Sequence, residues 1–256
     1  MPSKGLFEKK ITKDVSGTVH EILSNVRNNG DVALREYTER FDKVVPESWL
    51  VPKSALDEAF EGLDHDLFHI LEEAADNIMS FHERQKVDSQ LDFNSDGTVL
   101  GWKVSPVDSV GIYIPGGRAV YPSTLLMNVI PAQVAGVPRI VMVSPPGPSG
   151  LPDKLVMATA AMMGLEEIYA VGGAQSIGAL AYGTESIHQV VKITGPGNTF
   201  VAEAKRQVYG TVGIHPHDAS EFSPKLEQRI QKMAREQDKL IAIGETGLDY
   251  HYMNSS

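Results

Sequence analysis

Residues 110–144 read VGIYIPGGRAVYPSTLLMNVIPAQVAGVPRIVMVS, and the fold class is predicted from this stretch. It opens with a strand pattern in which Val110, Ile112 and Ile114 alternate up to a Pro-Gly-Gly turn. A helical pattern over residues 123–135 follows, and a second apolar strand is predicted over 139–144. A strand, a helix and a second strand in this order are typical of a βαβ unit, whose strands lie parallel in one sheet.

The same alternation continues downstream. Further strands are predicted over 167–171 and 190–194, and further helices over 152–163, 174–182 and 198–209. This pattern predicts an α/β fold with a Rossmann-like parallel-sheet domain over residues 109–210. The stiff loop 145–150, which is rich in proline and glycine, is interpreted as a connection within that domain.

Upstream of the sheet the pattern is mainly helical and amphipathic. A first helix is predicted to end at Asn29-Gly30, because this pair is a helix-stop signal. The longest helix is predicted from about residue 66 to 86, and its apolar stripe indicates packing rather than chemistry. A strand is predicted around residues 99–104. Residues 1–108 are therefore interpreted as an N-terminal helical region with the first strands of an incomplete domain.

The last region, residues 211–256, has a different organisation. It reads as a strand TVGI, a polar loop, a helix over 224–237 and a strand over 240–243. One βαβ-like piece cannot bury both faces of its strands by itself. We therefore expect it to pack on the preceding domain, to pair with another chain or to stay loose.

Composition narrows the class of protein and its partners. The chain has 256 residues and a formal net charge of −10 without a dense basic block, which disfavours a nucleic-acid partner. It has no cysteine, which excludes disulfides, thiol nucleophiles and thiolate metal sites. No apolar run approaches the ~18–20 residues that span a bilayer, and the N-terminus lacks a secretory pattern. We expect a cytoplasmic protein without a membrane partner.

Three turns that contain glycine follow strands of the predicted sheet. They are YIPGGR at 113–118, VGGAQSIG at 171–178 and TGPGNTF at 194–200. Ligands of parallel sheets bind beyond the carboxyl ends of the strands, and the N–H groups of a following helix favour an anion. None of the three has the standard dinucleotide spacing, and each alone is more typical of a tight turn. Together, at one edge of one sheet, they predict a ligand site.

Long stretches of the chain resemble the histidinol dehydrogenase family. They are GIYIPGGRAVYPSTLLMNVIPAQVAGV, VGGAQSIGALAYGTESI and KITGPGNTFVAEAKRQVYGTVGI, with NVRNNGDVALREYTERFD and AADNIMSFHERQ upstream. The resemblance covers about residues 11–214. It implies a zinc-containing homodimer that oxidises L-histidinol to L-histidine in two NAD-dependent steps, a reaction of histidine biosynthesis.

The resemblance also implies which residues bind the cofactor. By their positions in the family's motifs, Tyr113, Gln175 and Asn198 contact NAD. The residues by themselves leave other roles open. Asn198 can cap a helix, Gln175 can form a hydrogen bond within its turn, and Tyr113 can be an ordinary packing residue.

The family pattern stops after the GTVGI string, which ends at residue 214. The segments that carry the family's substrate, acid–base and zinc-binding residues do not follow. We therefore assign no catalytic residue and no zinc ligand to this chain. We expect it to be inactive toward histidinol, with weak or residual NAD binding.

Two later segments, GIHPHDASEF and IAIGETGLDYHY, resemble the TatD-type metal-dependent deoxyribonucleases. That resemblance implies that Glu245 is a metal ligand, but the family's N-terminal His-x-His pair and its later ligands have no counterpart. His215 and His217 match a separate segment of that family. Because a hydrolytic metal centre needs several converging ligands, we expect no divalent ion to be held by Glu245 alone.

These observations predict a fragment of a different fold over residues 211–256, joined near residues 211–214. Two alternatives stay open for the function of the chain. The tail can supply a metal-dependent DNase activity, or the chain can be a non-enzymatic fusion product. In the second case open strand edges favour self-association, as a homodimer or otherwise.

Overall fold

The computed structural model describes residues 15–116, 120–208, 210–212 and 240–243. The described residues up to Glu203 belong to one compact unit, and those from Ala204 onward belong to a second. Within these ranges, no helix has both the length and the apolar character that a membrane crossing requires.

Three helices open the first unit: α1 Ser16–Asp42, α2 Lys53–Glu61 and α3 His65–Glu83. Helix α1 has a kink at Gly30, whose φ of 49° lies in the left-handed region, so the predicted break at this glycine is confirmed. Glu185 holds the kink by accepting a hydrogen bond from the N–H of Asp31 at 2.8 Å. A Cβ on Gly30 would lie 2.2 Å from the Glu185 carboxylate, so a larger residue would have to displace this side chain and adopt an unfavourable left-handed φ.

A two-stranded antiparallel hairpin follows, formed by β1 Gln90–Phe93 and β2 Val99–Trp102. The sequence predicted the second of these strands and missed the first. All eight strand positions are exposed to solvent, so this hairpin has no buried face within the first unit.

The rest of the first unit alternates strands and helices over nearly the predicted ranges. The strands are β3 Ser109–Tyr113, β4 Arg139–Ser144, β5 Glu167–Ala170 and β6 Lys192–Thr194. The helices are α4 Pro122–Val134, α5 Lys154–Met162, α6 Gly173–Tyr182 and α7 Thr199–Val208, and α7 continues into the second unit. The predicted βαβ alternation is therefore confirmed.

The four strands form one parallel sheet in the order β5-β4-β3-β6. The chain moves outward from β3 to β4 and β5, and then returns to the other side of β3 with β6. Strands β3 and β6 therefore flank a topological switch point, where the connections after the two strands diverge. In open parallel sheets this arrangement leaves a crevice at the carboxyl ends of the strands.

The core is centred on this sheet. Every residue of β3 is buried, as expected for a strand covered on both faces. The core continues from sheet residues such as Ile112 and Met142 to Leu56 and Leu71 of the N-terminal helices. Helix α1 packs on α6, α2 on α5 and α3 on α4. Each fully buried Leu or Ile contributes about 1.5–3 kcal/mol, so the N-terminal helices add substantially to this core.

The segment before α2 lies along the free side of β5. The N–H of Ala170 donates to the carbonyl of Trp49, and the N–H of Val51 donates to the carbonyl of Ile168, both at 2.8 Å. Leu50 thereby forms an antiparallel bridge with Tyr169.

The amino-terminal edge of the sheet, where β4 and β5 begin, is held by an ion pair. The Arg139 guanidinium donates through Nε to Glu167 Oε2 at 2.8 Å and through a terminal nitrogen to the Gln189 carbonyl at 2.9 Å. The Tyr169 hydroxyl donates to Glu167 Oε1 at 2.9 Å. Burial opposes ionisation of Glu167, but the hydrogen bonds from Arg139 and Tyr169 hold its pKa below the usual value.

In the second unit, β7 Gly210–Val212 and β8 Leu240–Ile243 pair in parallel. Strands were predicted over 211–214 and 240–243, and the described strands lie at or next to these ranges. The helix predicted over 224–237 lies outside the described residues.

Candidate functional site

A cleft of about 490 Å³ opens at the carboxyl ends of the strands, beside the switch point. Its walls come from two parts of α1, one before the kink and one at the helix end, and from the segments that follow β3, β4, β5 and β6. The lining residues are Ile22, Phe41, Asp42, Tyr113, Gly116, Pro145, Pro146, Gly173, Ala174, Gln175, Asn198 and Phe200. The three residues singled out in the sequence, Tyr113, Gln175 and Asn198, therefore line one cavity.

Tyr113 is the last residue of β3 and forms part of the inner wall. It pairs with Val143 of β4 and is only 4% exposed. Burial raises the pKa of the Tyr113 phenol, and a hydrogen bond with the Gly173 backbone opposes this increase. The phenol is therefore protonated at neutral pH and can offer its O–H to a ligand. Ordinary packing, the alternative for this residue, agrees with its burial, and Tyr113 also lines the cleft.

Gln175 lies in the first turn of α6 and is 1% exposed. Neither its amide oxygen nor its amide nitrogen has a hydrogen-bond partner among the described residues. The hydrogen bond within the turn, which was the alternative for this residue, is therefore not formed there. A buried amide without partners costs about 1–3 kcal/mol. An unpartnered donor and acceptor in a cavity wall indicate a site for a polar ligand.

Asn198 precedes α7 and caps it. Its Oδ1 accepts hydrogen bonds from the N–H groups of Phe200 and Val201, both at 3.0 Å. The capping role that the sequence left open is thus confirmed. The cap uses the oxygen and leaves the amide nitrogen as a donor at the cleft, so capping and ligand contact are compatible.

Glycine allows two of the turns to approach the strands closely. Gly195, in the turn after β6, has a φ of +101°, and a Cβ there would lie 2.2 Å from the Tyr113 carbonyl oxygen. Gly172, before α6, would place a Cβ 2.3 Å from Pro145 Cγ. Any larger residue at either position would push the turns apart. These glycines therefore set the dimensions of the cleft.

Helix α6 begins without a side-chain cap at Gly172. The first N–H groups of a helix have no intrahelical partner, and they carry the positive end of the helix dipole. Here they lie at the cleft beside Gly173, so the start of α6 can bind an anionic group such as a phosphate.

Two exposed phenyl rings stand at the cleft, from opposite ends of the first unit's sequence. Phe41, near the end of α1, is 49% exposed, and Phe200, in α7, is 39% exposed. The Phe41 ring already stacks with Tyr37, with 5.8 Å between the centroids. The parts of both rings that remain exposed can contact a planar group, because stacked rings gain about 0.5–1.5 kcal/mol beyond their buried area.

Asp42 also lines the cleft, and no sequence pattern predicted its place there. It is the last residue of α1, and Lys43 then adopts a left-handed conformation with a φ of 62° that ends the helix. Burial raises the pKa of Asp42 to about 6. In the sequence, Asp42 is only an acidic residue near the end of a predicted helix. Nothing in the local pattern shows that this helix ends at the cleft.

The described residues contain no group of three or more His, Cys, Asp or Glu side chains that is arranged to hold a metal ion. Glu245, the residue implied as a metal ligand in the tail, lies outside the described residues, as do His215 and His217. The arrangement that can be described is therefore a polar, glycine-bounded cleft suited to an anionic ligand with flat rings.

The family model for Histidinol dehydrogenase matches residues 7–223. The chain belongs to the histidinol dehydrogenase family. Among curated relatives, the histidinol dehydrogenase of Bacillus subtilis is 52% identical over 203 residues, which are 79% of this chain and 48% of that protein. The histidinol dehydrogenase of Methanothermobacter thermautotrophicus is 51% identical over 201 residues, 78% of this chain and 47% of that protein.

Solved structures agree with this assignment to the histidinol dehydrogenase family. The crystal structure of histidinol dehydrogenase from Elizabethkingia anophelis matches with a TM-score of 0.73 at 27% identity, over 93% of this chain and 63% of that one. The chain spans about half the length of the curated relatives that it matches. The family match continues past residues 211–214, where the resemblance to TatD-type nucleases begins, and that second resemblance stays a prediction.

Proposed function

We propose that the cleft binds a nicotinamide adenine dinucleotide and that this chain supplies the cofactor-binding part of a histidinol dehydrogenase. The reaction would be the oxidation of L-histidinol to L-histidine in two NAD-dependent steps. The observation that carries the proposal is the Gln175 amide, which lies buried in the cleft wall with neither polar atom partnered among the described residues. The assignment of residues 109–210 as the dinucleotide-binding domain is part of the same proposal.

The residues around the cleft fit the chemical parts of such a ligand. The uncapped start of α6 suits the pyrophosphate, and the Phe41 and Phe200 rings suit a flat base. The Gln175 amide offers one donor and one acceptor, and the Tyr113 hydroxyl and the Asn198 amide nitrogen add donors. When bound, the nicotinamide ring would accept the hydride that leaves the substrate.

The roles assigned to this chain are confined to binding and orienting the dinucleotide. Zinc belongs to the properties that the family resemblance implies, and the described residues offer no cluster of ligands for it. A homodimer is likewise implied by the resemblance and stays a prediction. The expectation that this chain does not oxidise histidinol also stays a prediction. Formation of NADH from L-histidinol and NAD in the presence of zinc would contradict it.

Isothermal titration of the 256-residue chain with NAD tests the proposal. We expect binding that weakens about tenfold in Gln175→Leu, because the ligand then loses hydrogen bonds of about 1.4 kcal/mol in total. Gln85→Leu is the matched control, since Gln85 is exposed near the end of α3 and away from the cleft lining. Absence of NAD binding, or equal binding by both variants, would refute the proposed function.

A further inference from the structure

The last residue of α1, Asp42, places its carboxylate at the cleft. Asp42 Oδ2 is buried and has no hydrogen-bond partner among the described residues. A buried carboxylate oxygen without a donor is costly, because it loses its hydration and gains nothing in return. Its position in the cleft lining indicates that a ligand supplies the missing donor.

The other described lining residues provide no cation for this carboxylate. None of them is Lys, Arg or His, so Asp42 is the one charged side chain among them. The Tyr113 hydroxyl does not supply the missing donor. Asp42 affects the pKa of the Tyr113 phenol through charge repulsion and not through a hydrogen bond. The missing donor is therefore more consistent with hydroxyl groups of a ligand than with an ion pair inside the protein.

The turn directly after β4 lacks a residue that dinucleotide folds commonly use, and Asp153, further along the connection, caps α5. In Rossmann folds, an acidic residue near the end of the second strand accepts hydrogen bonds from a ribose. Here the second strand of the sheet is β4, and it continues as Pro145-Pro146-Gly147-Pro148-Ser149-Gly150, which contains no carboxylate. Pro145 and Pro146 line the same cleft as Asp42. The acid that is absent from the β4 turn is present at the end of α1.

We propose that Asp42 accepts hydrogen bonds from the cis-diol of a ribose of the bound dinucleotide, in place of an acid after β4. This assignment rests on the proposed function of the cleft. A dinucleotide has two riboses, and the diol chemistry is shared by both. On the adenosine ribose, the carboxylate would also repel the 2′-phosphate of NADP and so select NAD. The raised pKa of about 6 is consistent with an acceptor that is partly buried and still ionised at pH 7.5.

The test compares Asp42→Asn with Glu39→Gln. Both substitutions remove one negative charge from α1, but Glu39 is exposed and does not line the cleft. Isothermal titration with NAD and NADP measures affinity and selectivity. Saturation-transfer NMR with ADP and with nicotinamide mononucleotide separates the two riboses. Circular dichroism and unfolding temperatures verify that all variants are folded.

We expect Asp42→Asn to weaken NAD binding about tenfold and Glu39→Gln to change it less than twofold. If Asp42→Asn loses ADP binding and has a smaller preference for NAD over NADP, Asp42 binds the adenosine ribose. If this variant instead loses binding of nicotinamide mononucleotide, Asp42 binds the nicotinamide ribose. NAD binding that depends on Gln175 but not on Asp42 would overturn this assignment alone. Absence of NAD binding to the wild-type chain would overturn both this assignment and the proposed function.

Discussion

Buried polar groups at the two edges of the parallel sheet differ in whether they have hydrogen-bond partners. At the amino-terminal edge, Glu167 accepts from Arg139 and from Tyr169, and Arg139 also reaches a backbone carbonyl. At the cleft, Gln175 and one oxygen of Asp42 have no partner among the described residues. Both edges belong to the same strands and the same core.

The difference separates groups that stabilise the fold from groups that are kept for a ligand. A partnered buried group lowers the free energy of the folded state, whereas an unpartnered one raises it by about 1–3 kcal/mol. Stability alone therefore explains the amino-terminal edge and does not explain the cleft. Substitutions of polar side chains at the amino-terminal edge should therefore lower stability and leave binding unchanged, whereas those at the cleft should weaken binding without a loss of stability.

The largest effect is expected from Gly195→Ala, which would break the cleft itself. The new Cβ would lie 2.2 Å from the Tyr113 carbonyl, and the φ of +101° is unfavourable for alanine. We expect a loss of about 3 kcal/mol or more in the free energy of unfolding, together with the loss of NAD binding. Gly136→Ala is the control, since its φ is +78° but nothing lies within 4 Å. It should cost about 1 kcal/mol, and equal costs in urea unfolding would contradict the steric argument.

The second largest effect is expected from Arg139→Met at the amino-terminal edge, which should lower stability without changing NAD binding. It leaves Glu167 partly buried without its cation, and we expect a loss of about 2 kcal/mol with an unchanged NAD affinity. Because the pKa of Glu167 is lowered, this contribution is present above its ordinary value of 4.5 and is lost as the pH falls through the folded-state pKa.

Lys154→Met provides the comparison for this variant, since Lys154 and Glu58 form an exposed pair 3.7 Å apart. It should change the free energy of unfolding by less than about 0.5 kcal/mol. If the two variants were equally stable in urea, the amino-terminal ion pair would have no special role.

Asp42→Asn should give a smaller effect that depends on pH. The folded-state pKa of about 6 exceeds the ordinary 3.8, so wild-type stability falls as the pH rises from 4 through 6. Asparagine does not ionise and avoids this loss. Allowing for partial solvent exposure, we expect the variant to gain about 1 kcal/mol over wild type at pH 8 and nothing at pH 4. A gain that is constant across this range, measured by thermal unfolding, would contradict the assigned shift.

The smallest effect on stability is expected from Gln175→Leu, although its effect on binding is large. Removal of an unpartnered amide from the cleft wall should leave the free energy of unfolding unchanged or raise it by up to about 1 kcal/mol. Denaturant titration measures this change. A loss of more than about 1 kcal/mol would mean that Gln175 stabilises the fold and is not reserved for a ligand.

Local sequence pattern was sufficient for most of the fold. The alternating strands and helices from β3 to α7 each have their own apolar period and turn signals, so their order and approximate ends were predictable. Strand β1, which has only four residues, was missed, and the strand order was not predicted because local patterns do not encode it. The ion pair between Arg139 and Glu167 was likewise hidden, because it joins residues 28 positions apart.

The candidate site was predictable to the extent that it follows strands. The strand pattern predicted that the three glycine-containing turns meet at one edge, because parallel strands bring such turns together. The choice of Tyr113, Gln175 and Asn198 within them came from the family resemblance, and all three line the cleft. Asp42 and Phe41 reach the cleft from a helix that precedes the whole sheet. Their place depends on how α1 packs on α6, which is a tertiary contact without a local signal.

The kink of α1 has a consequence for how the chain is made. The hydrogen bond from Asp31 to Glu185 joins residues 154 positions apart, and α1 finds its packing partner only when α6 has been synthesised. At ribosomal speeds, the apolar face of α1 waits roughly 10–30 s for that partner. Helix α1 is thus made well before the helix that covers its apolar face, and a nascent chain can use a chaperone during this interval.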